Sequence, residues 1–108
     1  YYDIAFSKDD IDNAVTPEVH LNQNYPNPFN PSTTISYSLP EAGQVKLEIY
    51  NLRGQLVQIL TDSQEPAGDH RKVWNGTDQS GNTVASGVYF YRLRTNNYTI
   101  SRRMLLMK

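Results

Sequence analysis

The chain has 108 residues, which is enough for one domain that buries roughly two thirds of its unfolded surface. It contains no cysteine, so disulfide bonds and thiolate chemistry are excluded. The formal net charge of −1 argues against a general binder of nucleic acid or anionic membranes. The charge is nevertheless uneven, since residues 1–18 carry five acids and one lysine, whereas residues 92–108 carry five basic residues and no acid.

Hydropathy gives no sign of a membrane segment. The sequence lacks an apolar run of the roughly eighteen residues that cross a bilayer, and no signal peptide is visible. We therefore expect no membrane insertion. An exported chain would have lost its signal or would be part of a longer protein.

Residues 1–18 are the least regular part of the sequence. Residues 1–6 can form one short strand, and residues 7–16 have the composition of a linker. We expect this part to be either a tether from a preceding domain or an extended arm that adds a strand to a neighbouring subunit. The compact domain is predicted to occupy residues 19–108.

A proline-rich stretch, Asn-Tyr-Pro-Asn-Pro-Phe-Asn-Pro-Ser at residues 24–32, follows the first predicted strand. Its prolines fix φ and lack a backbone donor, so neither a helix nor a central strand can run through it. The asparagines between them suit turns. We call it the proline–asparagine segment and expect it either to shape the start of the domain or to be recognised by a partner.

Alternation of apolar and polar residues predicts strands at residues 19–24, 33–39, 45–50, 55–61, 69–74, 87–93 and 98–107. On the third strand we expect Val45, Leu47 and Ile49 to face the core and Glu48 to face solvent. Trp74 is expected to cap the core. About seven short strands separated by turn residues indicate an all-β antiparallel sandwich.

The last two strands have contrasting compositions. Residues 87–93 carry aromatic side chains on both faces, which favours a strand inside a sheet. Residues 98–107 are basic, which favours an edge strand protected by charge, although a docking surface is also open.

The chain carries a collinear set of motifs: Leu-Asn-Gln-Asn-Tyr-Pro-Asn-Pro-Phe-Asn-Pro at 21–31, Thr-Thr-Ile at 33–35, Val-Lys-Leu-Glu-Ile-Tyr-Asn at 45–51, Trp-Asn-Gly at 74–76, Ala-Ser-Gly-Val-Tyr-Phe-Tyr-Arg-Leu at 85–93 and Arg-Met-Leu-Leu-Met-Lys at 103–108. With these motifs it resembles the immunoglobulin-like C-terminal sorting domains (type A) of the type IX secretion system. Those domains are similar to the Ig-like domain of the flagellar hook-capping protein. The resemblance covers residues 21–108 and implies an Ig-like sandwich.

In that family the module is an address on a secreted protein, which an outer-membrane translocon recognises and a cell-surface peptidase commonly removes. The resemblance therefore implies a non-enzymatic targeting module, exported through the periplasm to the cell surface or beyond, whose partner is a secretion-machinery protein. Arg103 stands where the family usually has lysine, which keeps the charge but changes the hydrogen-bond geometry. The implied recognition residues are Tyr25, Pro26, Asn27, Pro28, Phe29, Asn30, Pro31, Arg102, Arg103 and Lys108.

No constellation of residues indicates an enzyme. His20 and His70 lie on predicted strands without a nearby nucleophile and acid, and Glu41 and Glu48 are expected to be solvated. Residues 78–82 place oxygen ligands at alternate positions but lack the terminal bidentate acid of a calcium loop. We therefore expect no catalytic residue, no metal and no cofactor.

Two other functions stay open at this point. The domain can be a structural unit of an extracellular fibre or appendage, in which residues 1–6 complete the sheet of a neighbouring copy. It can also be an accessory carbohydrate-binding module that stacks sugars on exposed rings, with Tyr25, Phe29, Tyr91 and Tyr98 as the candidates. Core packing is the commoner role of such aromatic residues in a β protein.

Overall fold

A computed structural model describes residues 19–108 of the chain, and the predictions for residues 1–18 lie outside this range. Every regular element of residues 19–108 is a strand, as the alternation predicts. The strands are β1 (His20–Leu21), β2 (Thr33–Leu39), β3 (Gly43–Asn51), β4 (Leu56–Glu65), β5 (Gly68–Trp74), β6 (Gly87–Arg94) and β7 (Thr99–Leu106). This part of the chain contains no helix with the length and apolarity needed to span a membrane.

The strands form two antiparallel sheets. One sheet has the strand order β1-β2-β5, and the other has the order β4-β3-β6-β7. β6 therefore lies inside its sheet and β7 lies at the edge, as their compositions predict. The arrangement confirms the all-β, Ig-like antiparallel sandwich of seven strands.

Alternate side chains of both sheets meet in one core. The inward face predicted for β3 is confirmed, since Val45, Leu47 and Ile49 are buried. The larger members of the core come from several strands and from the proline–asparagine segment. They are Phe29, Ile35, Tyr37, Trp74, Tyr91, Leu93, Met104 and Leu106.

Trp74 lies inside this core, as predicted. Its ring centroid is 5.6 Å from that of Phe29 and 5.2 Å from that of Tyr89, both in tilted or edge-on geometry. The indole Nε1 donates a hydrogen bond to the Thr77 carbonyl at 2.9 Å. The polar edge of the ring is therefore satisfied while the rest of it is buried.

The first strand is shorter than predicted. Regular pairing with β2 covers only His20 and Leu21, instead of residues 19–24. The backbone N–H of Asn24 donates to the hydroxyl of Tyr91, on β6 of the other sheet, at 2.8 Å. The regular ladder is interrupted because this donor bonds to a side chain across the sandwich.

The prediction that Glu48 is solvated is wrong, since this residue is only 3 % exposed. Its carboxylate lies 3.2 Å from Arg94 Nη2, 3.6 Å from Lys46 Nζ and 3.8 Å from Arg92 Nε. Glu48 pairs with Arg92 in the β3–β6 register. Long cationic side chains from the neighbouring strand thus cover the acid, which the alternation of β3 alone cannot reveal.

Candidate recognition surface

The proline–asparagine segment connects the two sheets along one side of the sandwich. At its start, Tyr25 exchanges backbone hydrogen bonds with Thr34 of β2, at 3.0 and 2.9 Å. At its middle, the Phe29 N–H donates to the Leu105 carbonyl and the Phe29 carbonyl accepts from the Met107 N–H, both at 3.0 Å. Phe29 thereby forms a parallel bridge with Leu106 of β7.

The buried side chain of Asn24 holds the start of the segment through hydrogen bonds. It is 2 % exposed, and its Nδ2 donates to Thr33 Oγ1 at 2.9 Å and to the Pro26 carbonyl at 3.2 Å. The Thr33 hydroxyl donates to the same carbonyl at 2.8 Å. These bonds supply the segment with partners that its prolines cannot provide. The peptide bonds before Pro26, Pro28 and Pro31 are cis.

Tyr91 joins this network from the opposite sheet. Its hydroxyl donates to the Asn22 carbonyl at 2.6 Å and accepts the hydrogen bond from the Asn24 N–H. Burial raises the pKa of Tyr91 above its ordinary value, so the hydroxyl keeps its proton at neutral pH and can act in both directions.

Two side chains continue the contact of the segment with the outer edge of β7. Gln23 Nε2 donates to the Arg103 carbonyl at 2.8 Å, and Asn27 Oδ1 accepts from the Leu105 N–H at 3.1 Å. We call Gln23, Asn27 and Phe29 the edge clamp. Together they occupy backbone groups along the second half of β7, so the two predicted recognition segments form one continuous surface.

Most of the predicted recognition residues present their side chains to solvent. Tyr25 is 80 % exposed, whereas Phe29 is buried and contacts Trp74. The ring of Phe29 therefore belongs to the core, and its backbone holds β7. The remaining exposed members are Pro26, Asn27, Pro28, Asn30, Pro31, Arg102, Arg103 and Lys108.

The basic residues of the tail differ in how they are held. Arg102 Nε donates to the Leu21 carbonyl at 2.6 Å, so this side chain lies across the gap between β7 and β1. The backbone N–H of Lys108 donates to Ser86 Oγ at 3.0 Å. An open groove of about 540 Å³ runs beside this edge, lined by Gln23, Asn27, Phe90, Ser101, Arg102 and Arg103.

The residues considered for other chemistry do not converge. His20 lies on β1 and His70 on β5, and residues 19–108 contain no group of three or more potential metal ligands. Asp78 Oδ1 accepts the backbone N–H groups of Ser80 and Asn82 at 2.9 and 3.0 Å. Its carboxylate thus stabilises its own turn.

The four aromatic residues considered for a sugar-binding platform do not form one. Phe29 and Tyr91 are 2 % and 0 % exposed, whereas Tyr25 and Tyr98 are 80 % and 39 % exposed. A stacking platform needs its rings together in solvent, and two of these four lie in the core. Sequence alternation already assigns Tyr91 to one face of β6, but it does not say which face is buried.

Three residues that position the recognition surface are not predicted from the sequence. Alternation assigns Gln23 and Asn24 to the end of the first predicted strand, which does not indicate their contacts with β7 and β2, and Gly76 lies in a distant loop. A Cβ on Gly76 would lie 3.1 Å from the Pro31 carbonyl oxygen, so this loop supports the end of the segment. The Asn-Gly pair after Trp74 signals a turn, but nothing in it indicates what the turn contacts.

Two antiparallel sheets of seven strands in this order define an Ig-like domain. The model of the FlgD Ig-like domain family matches residues 29–98, which is more than half of the chain. The chain therefore belongs to the FlgD Ig-like domain family. No curated protein sequence gives a significant match.

Solved structures with the same fold include proteins of two bacterial kinds. Dimeric latent PorU from Porphyromonas gingivalis has a TM-score of 0.69 at 21 % identity, over 90 % of this chain and 10 % of PorU. FlgD from P. aeruginosa has a TM-score of 0.55 at 26 % identity, over 69 % of this chain and 60 % of FlgD.

PorZ from Porphyromonas gingivalis, described as an essential bacterial surface component of the type-IX secretion system, has a TM-score of 0.52 at 22 % identity. The match covers 83 % of this chain and 11 % of PorZ. The chain thus spans less than two thirds of each of these proteins. At these identities the likeness to PorU and PorZ shows a shared fold.

Proposed function

We propose that this chain is a non-enzymatic recognition module of a secreted bacterial protein, of the type A sorting kind. A protein of an outer-membrane secretion machinery binds it, and the module is exported through the periplasm to the cell surface or beyond. Its mechanism is protein–protein recognition and needs no cofactor or catalytic residue.

One observation supports this proposal above the others: hydrogen bonds join the proline–asparagine segment to the basic tail. The backbone of Phe29 bonds to Leu105 and Met107, and Gln23 bonds to Arg103. A single partner can therefore contact the proline–asparagine segment and the basic tail at the same time. Rigid presentation lowers the entropy cost of such binding.

The structural neighbours agree with a role at the bacterial surface. PorZ is a surface component of a type-IX secretion system, and PorU comes from the same bacterium. Because a fold alone does not determine function, the recognition role has to be tested on this surface.

A secretion assay in a bacterium with a type IX system provides the test. A reporter protein is fused before residue 1 of the full chain, and Arg103→Glu and Lys108→Glu are combined in one variant. Both side chains are exposed, so the fold should survive. We expect surface delivery to fall about tenfold, in line with a binding constant weakened about tenfold.

The matched control is Arg53→Glu, an exposed charge reversal in the turn between β3 and β4. Thermal unfolding should show that both variants are folded. Normal delivery of the Arg103→Glu, Lys108→Glu variant would contradict the proposal. Deletion of residues 103–108 is a weaker test, because Met104 and Leu106 are in the core and the loss would also unfold the domain.

A second candidate function is a structural unit of an extracellular appendage, which membership of the FlgD Ig-like family favours. FlgD from Xanthomonas campestris, studied for hook capping in flagellar assembly, shares the fold with a TM-score of 0.57. Under this proposal neighbouring copies are the partners, and residues 1–6 supply a strand. Sedimentation velocity should then show assembly that grows with concentration and is lost on deletion of residues 1–16, and a monomer at every concentration would contradict it.

A further inference from the structure

The edge clamp covers only part of the outer edge of β7. In an antiparallel ladder, alternate residues direct their backbone groups toward the neighbouring strand and the others direct them away. Leu105 directs its groups away from β6, because they bond to Phe29 and Asn27. The alternation gives Arg103, Ser101 and Thr99 the same outward direction.

The first half of this edge is open within residues 19–108. The Arg103 carbonyl accepts from Gln23, but no described residue hydrogen-bonds to the outward backbone groups of Thr99 or Ser101. An edge with such groups is a template for one more strand. The clamp limits that strand, because pairing cannot continue past Arg103 without displacing Gln23.

The side chains around the open stretch are basic. In the β6–β7 register, Arg92 is opposite Ser101 and Arg94 is opposite Thr99. Lys46 pairs with Arg94 in the β3–β6 register, and Arg103 lines the adjacent groove. The described carboxylates near these bases are Glu48, which lies against Lys46, Arg92 and Arg94, and Asp62, which is opposite Lys46 in the β3–β4 register. Four bases against two acids leave the net local charge positive.

We propose that the stretch from Thr99 to Arg103 is a docking site for an extended acidic segment of a partner protein, which pairs with β7 as an added strand. The partner's backbone takes the outward groups of Thr99 and Ser101, and its carboxylates lie near Arg103, which lines the groove beside this edge. This inference rests on the proposed recognition function and names the chemistry of the partner. Pairing by the backbone gives affinity, and the charges select the segment.

The length of the site follows from strand geometry. At about 3.4 Å per residue, five residues offer an edge of roughly 17 Å. Such an edge pairs with about five residues of the partner, so a short exposed peptide is sufficient. An interface formed with about five residues of the partner is small, and small interfaces are typical of weak, reversible complexes.

Binding is tested with the purified full chain and a fluorescent peptide of about ten residues in which glutamate alternates with threonine, a pattern that suits an extended strand. The same peptide with lysine in place of glutamate is the charge control. Fluorescence anisotropy should show binding of the acidic peptide and none of the basic one. Arg103→Glu should weaken the binding about tenfold, and Arg53→Glu should leave it unchanged.

Ser101→Pro tests whether the backbone takes part. Proline removes the outward N–H of Ser101 and is tolerated on an edge strand where that group faces solvent. Ser101→Ala keeps the N–H and is the matched control. We expect about tenfold weaker binding for the proline variant and less than about twofold change for the alanine variant.

Several results would overturn the inference. They are no binding of the acidic peptide, equal binding by the proline and alanine variants, and a chain that dimerises through this edge without peptide. If Ser101→Pro does not fold, hydrogen exchange on the unsubstituted chain decides, because strand pairing must slow exchange at the Thr99 and Ser101 amides. The peptide-binding assay does not depend on export. A failure to bind the peptide would therefore contradict this inference but not the proposed function, and a failure of the secretion test would contradict the proposed function but not the peptide binding.

Discussion

The hydroxyl of Tyr37 on β2 donates a hydrogen bond to the carboxylate of Glu65 at the end of β4, which joins the two sheets inside the sandwich. The same carboxylate accepts from Thr61 at 2.9 Å and lies 3.1 Å from Lys72 Nζ. Burial alone would raise the pKa of Glu65, but the hydrogen bonds from Tyr37, Lys72 and Thr61 lower it below its ordinary value. Burial and the bond to Glu65 raise the pKa of Tyr37.

Glu65→Gln should therefore change the acid stability of the domain. A lowered folded-state pKa contributes stability above the unfolded value of about 4.3, and that stability is lost as the pH falls through the folded value. We expect the variant to be less stable at pH 7 by about 1–3 kcal/mol and to lose less stability on acidification. Urea unfolding at pH 7 and in steps below about 4.3 measures both effects.

The matched control for this substitution is Glu41→Gln, in the exposed turn between β2 and β3. It should leave the stability within about 0.5 kcal/mol at pH 7. Parallel curves of stability against pH for the Glu65→Gln variant and the unsubstituted chain would refute the assignment of acid sensitivity to Glu65.

Phe29→Ala should destabilise the domain by about 3–5 kcal/mol, because it removes a fully buried aromatic ring. The ring contacts Trp74 at a centroid distance of 5.6 Å, so the emission of Trp74 should also change. Chemical unfolding followed by tryptophan fluorescence measures both. Tyr25→Ala, in the same segment but 80 % exposed, should stay within about 0.5 kcal/mol, and similar losses for the two variants would argue against a core role for Phe29.

Asn24→Ala should cost about 1–3 kcal/mol, because it leaves buried polar groups of Thr33 and Pro26 with fewer partners. The comparison is Asn30→Ala, which lies in the same segment with an exposed side chain and should be nearly neutral. Hydrogen exchange at the Leu105 amide, which donates to Asn27, should become faster in the Asn24 variant alone. Unchanged exchange there would show that Asn24 does not position the edge clamp.

Gly76→Ala should cost more than Gly81→Ala. Both glycines have positive φ, +73° and +87°, so each substitution carries a backbone strain of about 1 kcal/mol. Only at Gly76 would the new Cβ approach a backbone atom, the Pro31 carbonyl oxygen at 3.1 Å, while nothing lies within 4 Å at Gly81. Thermal unfolding of the pair isolates the contact between this loop and the segment, and equal shifts would show that the contact is dispensable.

The sequence was sufficient for the number and order of the strands and for the class of fold, since the alternation on β2, β3 and β6 has one inward face in each. It did not give the bounds of β1, predicted at 19–24, or of β4, predicted at 55–61. It failed where a contact depends on another strand. Glu48 has the pattern of a solvent-facing residue, yet Arg92 and Arg94 of β6 cover it. Phe29 lies among turn residues, and only the three-dimensional fold shows that its ring enters the core.

The candidate surface was only partly predictable, because it also depends on contacts between distant parts of the chain. The motifs identify the proline–asparagine segment and the basic tail one by one. Their union depends on hydrogen bonds of Gln23, Asn27 and Phe29 to β7. The groups that accept or donate on β7 are backbone atoms. Every residue carries such atoms, so the residue types on β7 do not reveal these contacts.

The edge clamp also orders events as the chain folds. Its side-chain bonds span 80 and 78 residues, whereas a short turn joins β3 to β4. Contacts far apart in sequence cost more loop entropy and therefore form later. Until β7 pairs with β6, β6 is itself an edge strand and the backbone of Phe29 has no strand to bond to. Pulse-labelling hydrogen exchange should accordingly show β3 and β4 protected before β7, so that the candidate recognition surface is completed late in folding.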